Sequence, residues 1–424
     1  MIKIVDFKDI KKEDLFIRHS GSTNLEAVVT EIINNVKENG DKALFEYALK
    51  FDKANLSSLK VSDSEFLEAE TSLNEDLKRV IERAAENIRS YHINQVKTGF
   101  MLDEGTGIVR GQKVDPIERI GVYVPGGTAA YPSTVLMNCI PAKIAGCSKI
   151  VITTPCDKDG KISSALLYAA KIAGVTEVFK SGGAGAVAAL AYGTETIPEV
   201  DKIVGPGNAF VAEAKKQVFG KVAIDMIAGP SEILVISDDK NNPAFVAADM
   251  LSQAEHDKMA SAVLVTNSYD FAKKVSDELE KQIPVLLRSE IARISIDNNG
   301  KIIVCDNLDD VFDVANELAP EHLEICLDEP FSYLDKVKNA GSVFLGRYTP
   351  EAVGDYYGGP NHTLPTMGTA KFSSPLSVDD FVKKTQFLYY SENALELAKN
   401  DIAMFANCEG LTGHAKSVTI RFGE

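Results

Sequence analysis

The sequence predicts an α/β protein with two mostly parallel sheets, and three observations lead there. Near residue 120, short β-rich runs begin to alternate with helix-like stretches: IGVYV (120–124), KIVITT (149–154), EVFKS (177–181), KIVG (202–205) and EILVIS (232–237). Parallel strands need a crossover, usually a helix, so this alternation reads as βαβ units. A second series follows, SAVLVTN (261–267), KIIVCD (301–306), HLEICL (322–327) and GSVFLG (341–346), again separated by helical patterns. The composition, 45% hydrophobic and 25% charged, is that of an ordinary globular chain, which excludes a disordered or fibrous one.

Taken in order, residues 1–20 mix charge with isolated apolar positions and read as a terminal arm. Residues 24–100 read as helical, with Leu73, Leu77, Val80, Ile81, Ala84, Ala85 and Ile88 spaced by threes and fours along one stripe. Helices are expected between the strands of the first sheet, over 134–145, 164–173, 184–192 and 208–219. From 367 onward the pattern is loop and helix, a tail too small for its own core that needs a surface to lie on. At 424 residues the chain has room for roughly two to four domains of about 150 residues.

Charge and cysteine usage narrow the function. With 45 Lys+Arg against 61 Asp+Glu the formal charge is −16, which argues against a general nucleic-acid or membrane-surface binder. The six cysteines form no CxxC pair and are expected to be reduced thiols of a cytoplasmic protein. No signal-peptide pattern opens the chain, and the longest apolar run, 186–192, falls far short of the roughly 20 residues needed to span a bilayer.

Four segments carry candidate chemistry. In LSQAEHD, Gln253 and His256 stand three apart, which on a helix puts both on one face: either a metal-ligand pair or a solvated surface. In APEHLEI, Glu321 and His322 are adjacent at a loop-to-strand junction of the kind that α/β folds place at the carboxyl ends of strands. They read either as two proton-transfer groups or as an exposed charged pair. GDYYGGPNHTLPT is an irregular loop in which Asp355 either ligates a metal or caps a turn, with His362 nearby. CEGLTGH places Glu409 and His414 near the C-terminus, where exposure is the ordinary reading.

Three glycine-rich turns follow strands and open helices: VPGGTAAYPST (124–134), SGGAGAVA (181–188) and GPGNAF (205–210). Each is either a tight βα turn or a phosphate cradle at a helix N-terminus, and three in one sheet favour a nucleotide. Gly183 opens a formal GxGxxA. Asp201 lies 18 residues beyond, near the spacing of a ribose-binding acid, but at the start of the next strand.

Seven ordered blocks resemble the histidinol dehydrogenase family: PIERIGVYVPGGTAAYPSTVLMNCIPAKIAG (116–146), ALAYGTETIPEVDKIVGPGNAFVAEAKKQVFG (189–220), IDMIAGPSEILVISD (224–238), VAADMLSQAEHD (246–257), NELAPEHLEI (316–325), GDYYGGPNHTLPT (354–366) and EGLTGHAKSVTIR (409–421). The resemblance implies two Rossmann-like domains with parallel sheets plus small N-terminal and C-terminal segments. The implied divisions are an arm over 1–20, an NAD-binding domain over 119–235, a discontinuous domain over 21–118 and 236–366 carrying the metal and catalytic residues, and a tail over 367–424 that crosses to the partner of a homodimer. It implies a four-electron, NAD-dependent oxidation of L-histidinol to L-histidine through L-histidinal. One zinc per subunit would be held by Gln253, His256, Asp355 and His414. His322 and Glu321 match the proton-transfer pair, and Ser231, Gln253, His256, His322, Asp355, Glu409 and His414 match substrate contacts. Tyr123, Gly185 and Asn208 match NAD contacts, with Gly185 standing where the family usually has Gln. That departure keeps a second reading open, a related zinc- and NAD-dependent dehydrogenase of another amino or sulfonated alcohol. Mn²⁺ or Co²⁺ would also suit mixed N/O ligands. A non-catalytic scaffold would be expected to lose the Glu321–His322 pair, which is intact.

Overall fold

The computed structural model describes residues 1–10, 23–126 and 131–423. Its strands are β1 (Lys3–Asp6), β2 (Phe100–Asp103), β3 (Ile108–Pro116), β4 (Arg119–Tyr123), β5 (Lys149–Thr154), β6 (Glu177–Lys180), β7 (Lys202–Val204), β8 (Ala223–Ile224), β9 (Glu232–Ser237), β10 (Ser261–Thr266), β11 (Lys301–Val304), β12 (His322–Cys326), β13 (Ser342–Leu345) and β14 (Val382–Tyr390). Two parallel sheets carry the molecule, as the alternation of strands and helices predicts. The five-stranded sheet has the order β6-β5-β4-β7-β8 and the six-stranded sheet the order β1-β11-β10-β9-β12-β13. Numbered from its first crossover strand, each runs 3-2-1-4-5, the doubly wound order whose direction reverses beside the central strand. β1 adds a sixth strand beyond β11.

The inner strands are apolar without alternation because helices cover both faces. Ile233, Leu234, Val235 and Ile236 are all fully buried, a contribution of about 1.5–3 kcal/mol each. The crossover helices of the first sheet, Pro132–Ala145, Ser164–Ala173, Gly183–Tyr192 and Ala209–Val218, stand where the sequence put them. All six cysteines are unpaired.

Several elements depart from expectation. The first residues of the predicted arm form β1, while 11–20 lie outside the described residues. The tail contains a nine-residue strand, β14, paired antiparallel with β3, which pairs in turn with β2. β14 is exposed along nearly its whole length, so no inside–outside alternation marks it in the sequence. The helix Glu75–His92 is capped by Asn74, whose side chain accepts from Asp76 and Leu77 N–H, and it buries Ile81, Ala84, Ala85 and Ile88. Leu77 and Val80, which the spacing placed on the same stripe, are exposed.

The resemblance implies a domain that joins 21–118 to 236–366. The helices Thr23–Tyr47 and Glu75–His92 pack instead on the five-stranded sheet: Val29, Ile33 and Leu44 share a core with Leu190 and Ile203, and Ile81, Ala85 and Ile88 one with Ile120 and Ile140. An apolar stripe shows that a helix must be covered, but not by which sheet.

Candidate active site

The starts of the parallel strands line up in register, so His322 pairs with Ile233 and Ser342, and Ser261 with Glu232. Glu321 and His322 therefore stand at the amino edge of the six-stranded sheet, not at a carboxyl end as the sequence suggested. A chain entering a strand presents its junction residues at the strand's start. The helix Leu308–Leu318 ends on Ala319, whose left-handed backbone (φ 48°) turns the chain into β12.

Glu321 and His322 are both buried. One Glu321 oxygen, Oε2, accepts the Glu232 N–H at 2.9 Å. His322 Nδ1 lies 3.0 Å from the Glu232 carbonyl oxygen. A carbonyl only accepts, so Nδ1 carries the proton and Nε2 is the free lone pair of the neutral ring. Nε2 is buried without a hydrogen-bond partner among the described residues and faces Asp355 Oδ1 at 3.7 Å.

The helix Pro243–Ala254 ends at the same edge. It brings Gln253, which is almost fully buried, with its Nε2 3.4 Å from His322 Nδ1 and its Oε1 lacking a hydrogen-bond partner among the described residues. His256 lies just past the helix end, its N–H donating to the Gln253 carbonyl at 3.0 Å, so the pair spans a helix terminus and not a continuous helical face. His256 is exposed as a residue, yet enough protein crowds its ring to hold its pKa below the ordinary value, against the pull of Asp355. Asp355 sits on the short helix Glu351–Tyr356, and its carbonyl accepts from His362 Nδ1 at 2.9 Å.

Acidic side chains crowd this edge. His322, Glu351 and Asp355 offer ligand atoms that all lie within 4.8 Å of one another. Burial opposes a charged His322 ring, but Glu321, Asp355 and Glu351 together carry its pKa up to about 10. Burial lifts Glu321 to about 7, offset in part by His322. A divalent cation would fit here: Gln253 Oε1 is a buried acceptor with nothing to accept from, Asp355 adds a carboxylate, and His256 adds a nitrogen at the mouth. Its charge would cancel part of the carboxylate field and return His322 toward the neutral form.

His414 and Glu409 are not brought to this cluster. Both are exposed, on a tail whose helices Glu392–Cys408 and Thr412–Thr419 pack chiefly on each other. Leu397, Met404 and Phe405 are likewise exposed there.

Tyr123, Gly185 and Asn208 line a separate cavity of about 550 Å³ at the carboxyl edge of the five-stranded sheet, beside the point where strand order reverses. Tyr123 Oη accepts the Gly183 N–H at 3.2 Å, and Asn208 caps the helix Ala209–Val218 through Oδ1. Gly205 has φ +112°, and a Cβ there would lie 2.1 Å from the Tyr123 carbonyl oxygen, so only glycine fits. A buried Lys215–Asp225 ion pair holds that turn: Lys215 Nζ donates to Gly205 O at 2.9 Å, and Asp225 accepts Gly205 N–H at 2.8 Å. The tip of the first glycine-rich turn, 127–130, lies outside the described residues. Asp201 is ruled out as a ribose ligand. It stands at the opposite edge of the sheet, paired with Arg119 at 2.8 Å.

A smaller cavity of about 150 Å³ lies between the two regions. It is lined by Gly205, Pro206 and Gly207 on one side and by Ser231 and Glu321 on the other.

The histidinol dehydrogenase family model matches residues 17–422. The chain belongs to the histidinol dehydrogenase family. It is 54% identical over 404 residues to the histidinol dehydrogenase of Clostridium acetobutylicum, covering 95% of this chain and 94% of the relative. Identity to that of Bacillus thuringiensis is 51% over 422 residues, 99% of this chain and 98% of the relative. The crystal structure of histidinol dehydrogenase from Elizabethkingia anophelis superposes with a TM-score of 0.95 at 38% identity, covering 100% of this chain and 98% of that one. The chain is thus an oxidoreductase of this family. No helix among the described residues is long and apolar enough to cross a membrane.

Within this histidinol dehydrogenase fold the sequence reading missed the buried carboxylates behind the site. Glu351 accepts from Ser252 Oγ at 2.5 Å, and Glu324 accepts the Glu351 N–H at 2.7 Å, anchoring the helix that presents Asp355. The four-residue spacing of Glu351 and Asp355, which puts both on one helix face, was the available signal. Nothing in the pattern EHLEICL distinguishes Glu324 from a solvent-facing strand residue.

Proposed function

We propose that this chain oxidises L-histidinol to L-histidine through L-histidinal, the last step of histidine biosynthesis, using two NAD and one bound zinc. The observation that carries the reading is the buried pair of partnerless atoms, Gln253 Oε1 and His322 Nε2, set beside Asp355 and one small cavity away from a nucleotide-sized pocket. When bound, zinc supplies a template for the substrate's imidazole and amino nitrogens, and NAD supplies the hydride acceptor. Gln253, His256 and Asp355 would hold the metal, with His414 completing the set from a second copy of the chain. Neutral His322 takes the alcohol proton on Nε2, since Nδ1 is committed to the Glu232 carbonyl. Glu321 acts next. Its raised pKa near 7 makes it an efficient base for drawing a proton from water as that water adds to the aldehyde. Ser231 borders the same small cavity and contacts the substrate there. Tyr123, Gly185 and Asn208 contact NAD, with Glu409 joining the substrate contacts from the second copy.

The test is NADH yield per L-histidinol, with and without a strong chelator. Two NADH per substrate, abolished by chelation and restored by Zn²⁺, is the expected result. One NADH or none from folded, metal-loaded protein overturns the assignment in favour of another amino or sulfonated alcohol. The shared site has its own test: mixing His256→Ala with His414→Ala subunits should restore about a quarter of the activity, because half the dimers then hold one intact site. An inactive mixture of proven heterodimers overturns the exchange.

A further inference from the structure

One wall of the 550 Å³ cavity comes from outside the sheet that forms its floor. The helix Thr23–Tyr47 continues into a wide turn, Ala48–Asp52, which Lys53 ends in the left-handed region (φ 61°). Asp52 is half-buried in the cavity lining and is the only acidic side chain there among the described residues. Its carboxylate has no hydrogen bond or ion pair with any described residue. Burial accordingly raises its pKa to about 6. Its charge reaches Tyr123 and Cys156 across the cavity. Among the described residues the single cation of the lining, Lys50, is exposed, with Nζ held 5.1 Å over the Phe51 ring.

A half-buried carboxylate without a donor is costly unless a ligand brings the donors. The rest of the cavity says what that ligand carries. The first turn of the helix Gly183–Tyr192 presents backbone N–H groups suited to phosphate, and Phe51 and Phe210 offer exposed rings for a base. The reactive end of a dinucleotide must reach the 150 Å³ cavity beside Glu321, which Asp52 does not line. The far end, adenosine, therefore falls to Asp52. We propose that Asp52 accepts hydrogen bonds from the adenosine ribose hydroxyls and thereby selects NAD over NADP. A carboxylate accepts from two hydroxyls but repels a phosphate on the 2′ oxygen. This rests on the cavity being the NAD site, and it fills the role for which the spacing of Asp201 had spoken.

The experiment is the ratio of kcat/KM for NAD to that for NADP, at saturating L-histidinol in metal-loaded enzyme, for the parent chain and for Asp52→Asn. The variant should lower the ratio by about tenfold to a hundredfold, chiefly through a higher KM for NAD, as loss of a charge-assisted hydrogen bond predicts. Should the variant fold poorly, the parent alone suffices: it should bind ADP about tenfold more tightly than 2′-deoxy-ADP in titration calorimetry. An unchanged ratio in a folded variant, or equal affinity for the two diphosphates, overturns the role of Asp52 and leaves the NAD site standing. A parent that binds neither NAD, NADH nor ADP overturns the cofactor reading itself, and Asp52 with it.

Discussion

The two parallel sheets share one topology and put it to use at opposite edges. In the five-stranded sheet the cavity lies at the carboxyl edge, where strand order reverses and helix N-termini point inward. Free N–H groups and the positive ends of helix dipoles collect there, which suits phosphate. In the six-stranded sheet an ion-pair bridge spans the corresponding point: Arg347 pairs with Asp238, which follows β9, and with Asp328, which follows β12. Its chemistry lies at the amino edge, where the helices Pro243–Ala254 and Leu308–Leu318 end. Helix C-termini carry partial negative charge, and Asp355, held ionised beside His322, adds to it, so this edge favours a cation and a titrating histidine. Strand topology alone thus does not locate a site. The side chains and helix ends gathered at each edge decide it.

If the edges are separate devices, damage to one should spare the other. Glu321→Gln or His322→Asn should lower kcat by about a hundredfold to ten-thousandfold, as loss of a positioned proton-transfer group does, while NADH affinity by fluorescence titration stays within twofold. A parallel loss of NADH binding would show that the edges act as one.

The next effect is on stability. Lys215→Met would leave Asp225 charged and unpaired inside the protein and should cost about 3–5 kcal/mol in urea unfolding. It should also loosen the Gly205 turn, so KM for NAD should rise more than KM for histidinol. A change below about 1 kcal/mol would mean that water replaces the lysine and that the turn holds itself.

Asp52 tests the carboxyl edge of the five-stranded sheet through pH. Its pKa is raised from the ordinary 3.8 to about 6 by burial, so the folded chain holds this proton more tightly than the unfolded one. The associated stability is present below pH 4 and is lost as pH rises through 6. Asp52→Asn should therefore raise the melting temperature at pH 8 and not at pH 4. Solvent screening of a half-exposed group limits the gain to about 1 kcal/mol or less. A less stable variant at pH 8 would mean that the carboxylate has a favourable partner without nucleotide.

The smallest effect is expected at Gly185. A Cβ there would lie 3.1 Å from Tyr47 Cδ2 and 3.5 Å from Leu44 Cδ2, so a small shift of the Tyr47 ring accommodates it. Gly185→Ala should change KM for NAD by less than about tenfold. Gly185→Gln must displace the ring altogether and should cost more. A large loss from alanine would mean that backbone approach at this position is essential to the pocket.

Much was legible in advance where a local rule applied. The inner strands announced themselves as short apolar runs, and the crossover helices as periodic stretches between them. Gln253, His256, Glu321, His322 and Asp355 were singled out as residue types in suggestive spacing, and the structure gathers them at one edge. Glu324, Glu351 and Asp52 were not, because a buried carboxylate and a solvated one have the same letter. The strand β14 is silent for a different reason: it is exposed without alternation, and its partner, β3, lies more than 260 residues earlier in the chain.

By itself the sequence determined the fold class, the two sheets, the glycine turns and the family, since each rests on local periodicity or on a run of residues that survives without knowing what it touches. Tertiary structure alone decided that Glu321 and His322 stand at the amino edge of their sheet, that Asp201 is spent on Arg119, and that Asp52 lines the 550 Å³ cavity. Burial, orphaned atoms and the direction of a pKa shift depend on neighbours far along the chain, and only folding brings those neighbours into place.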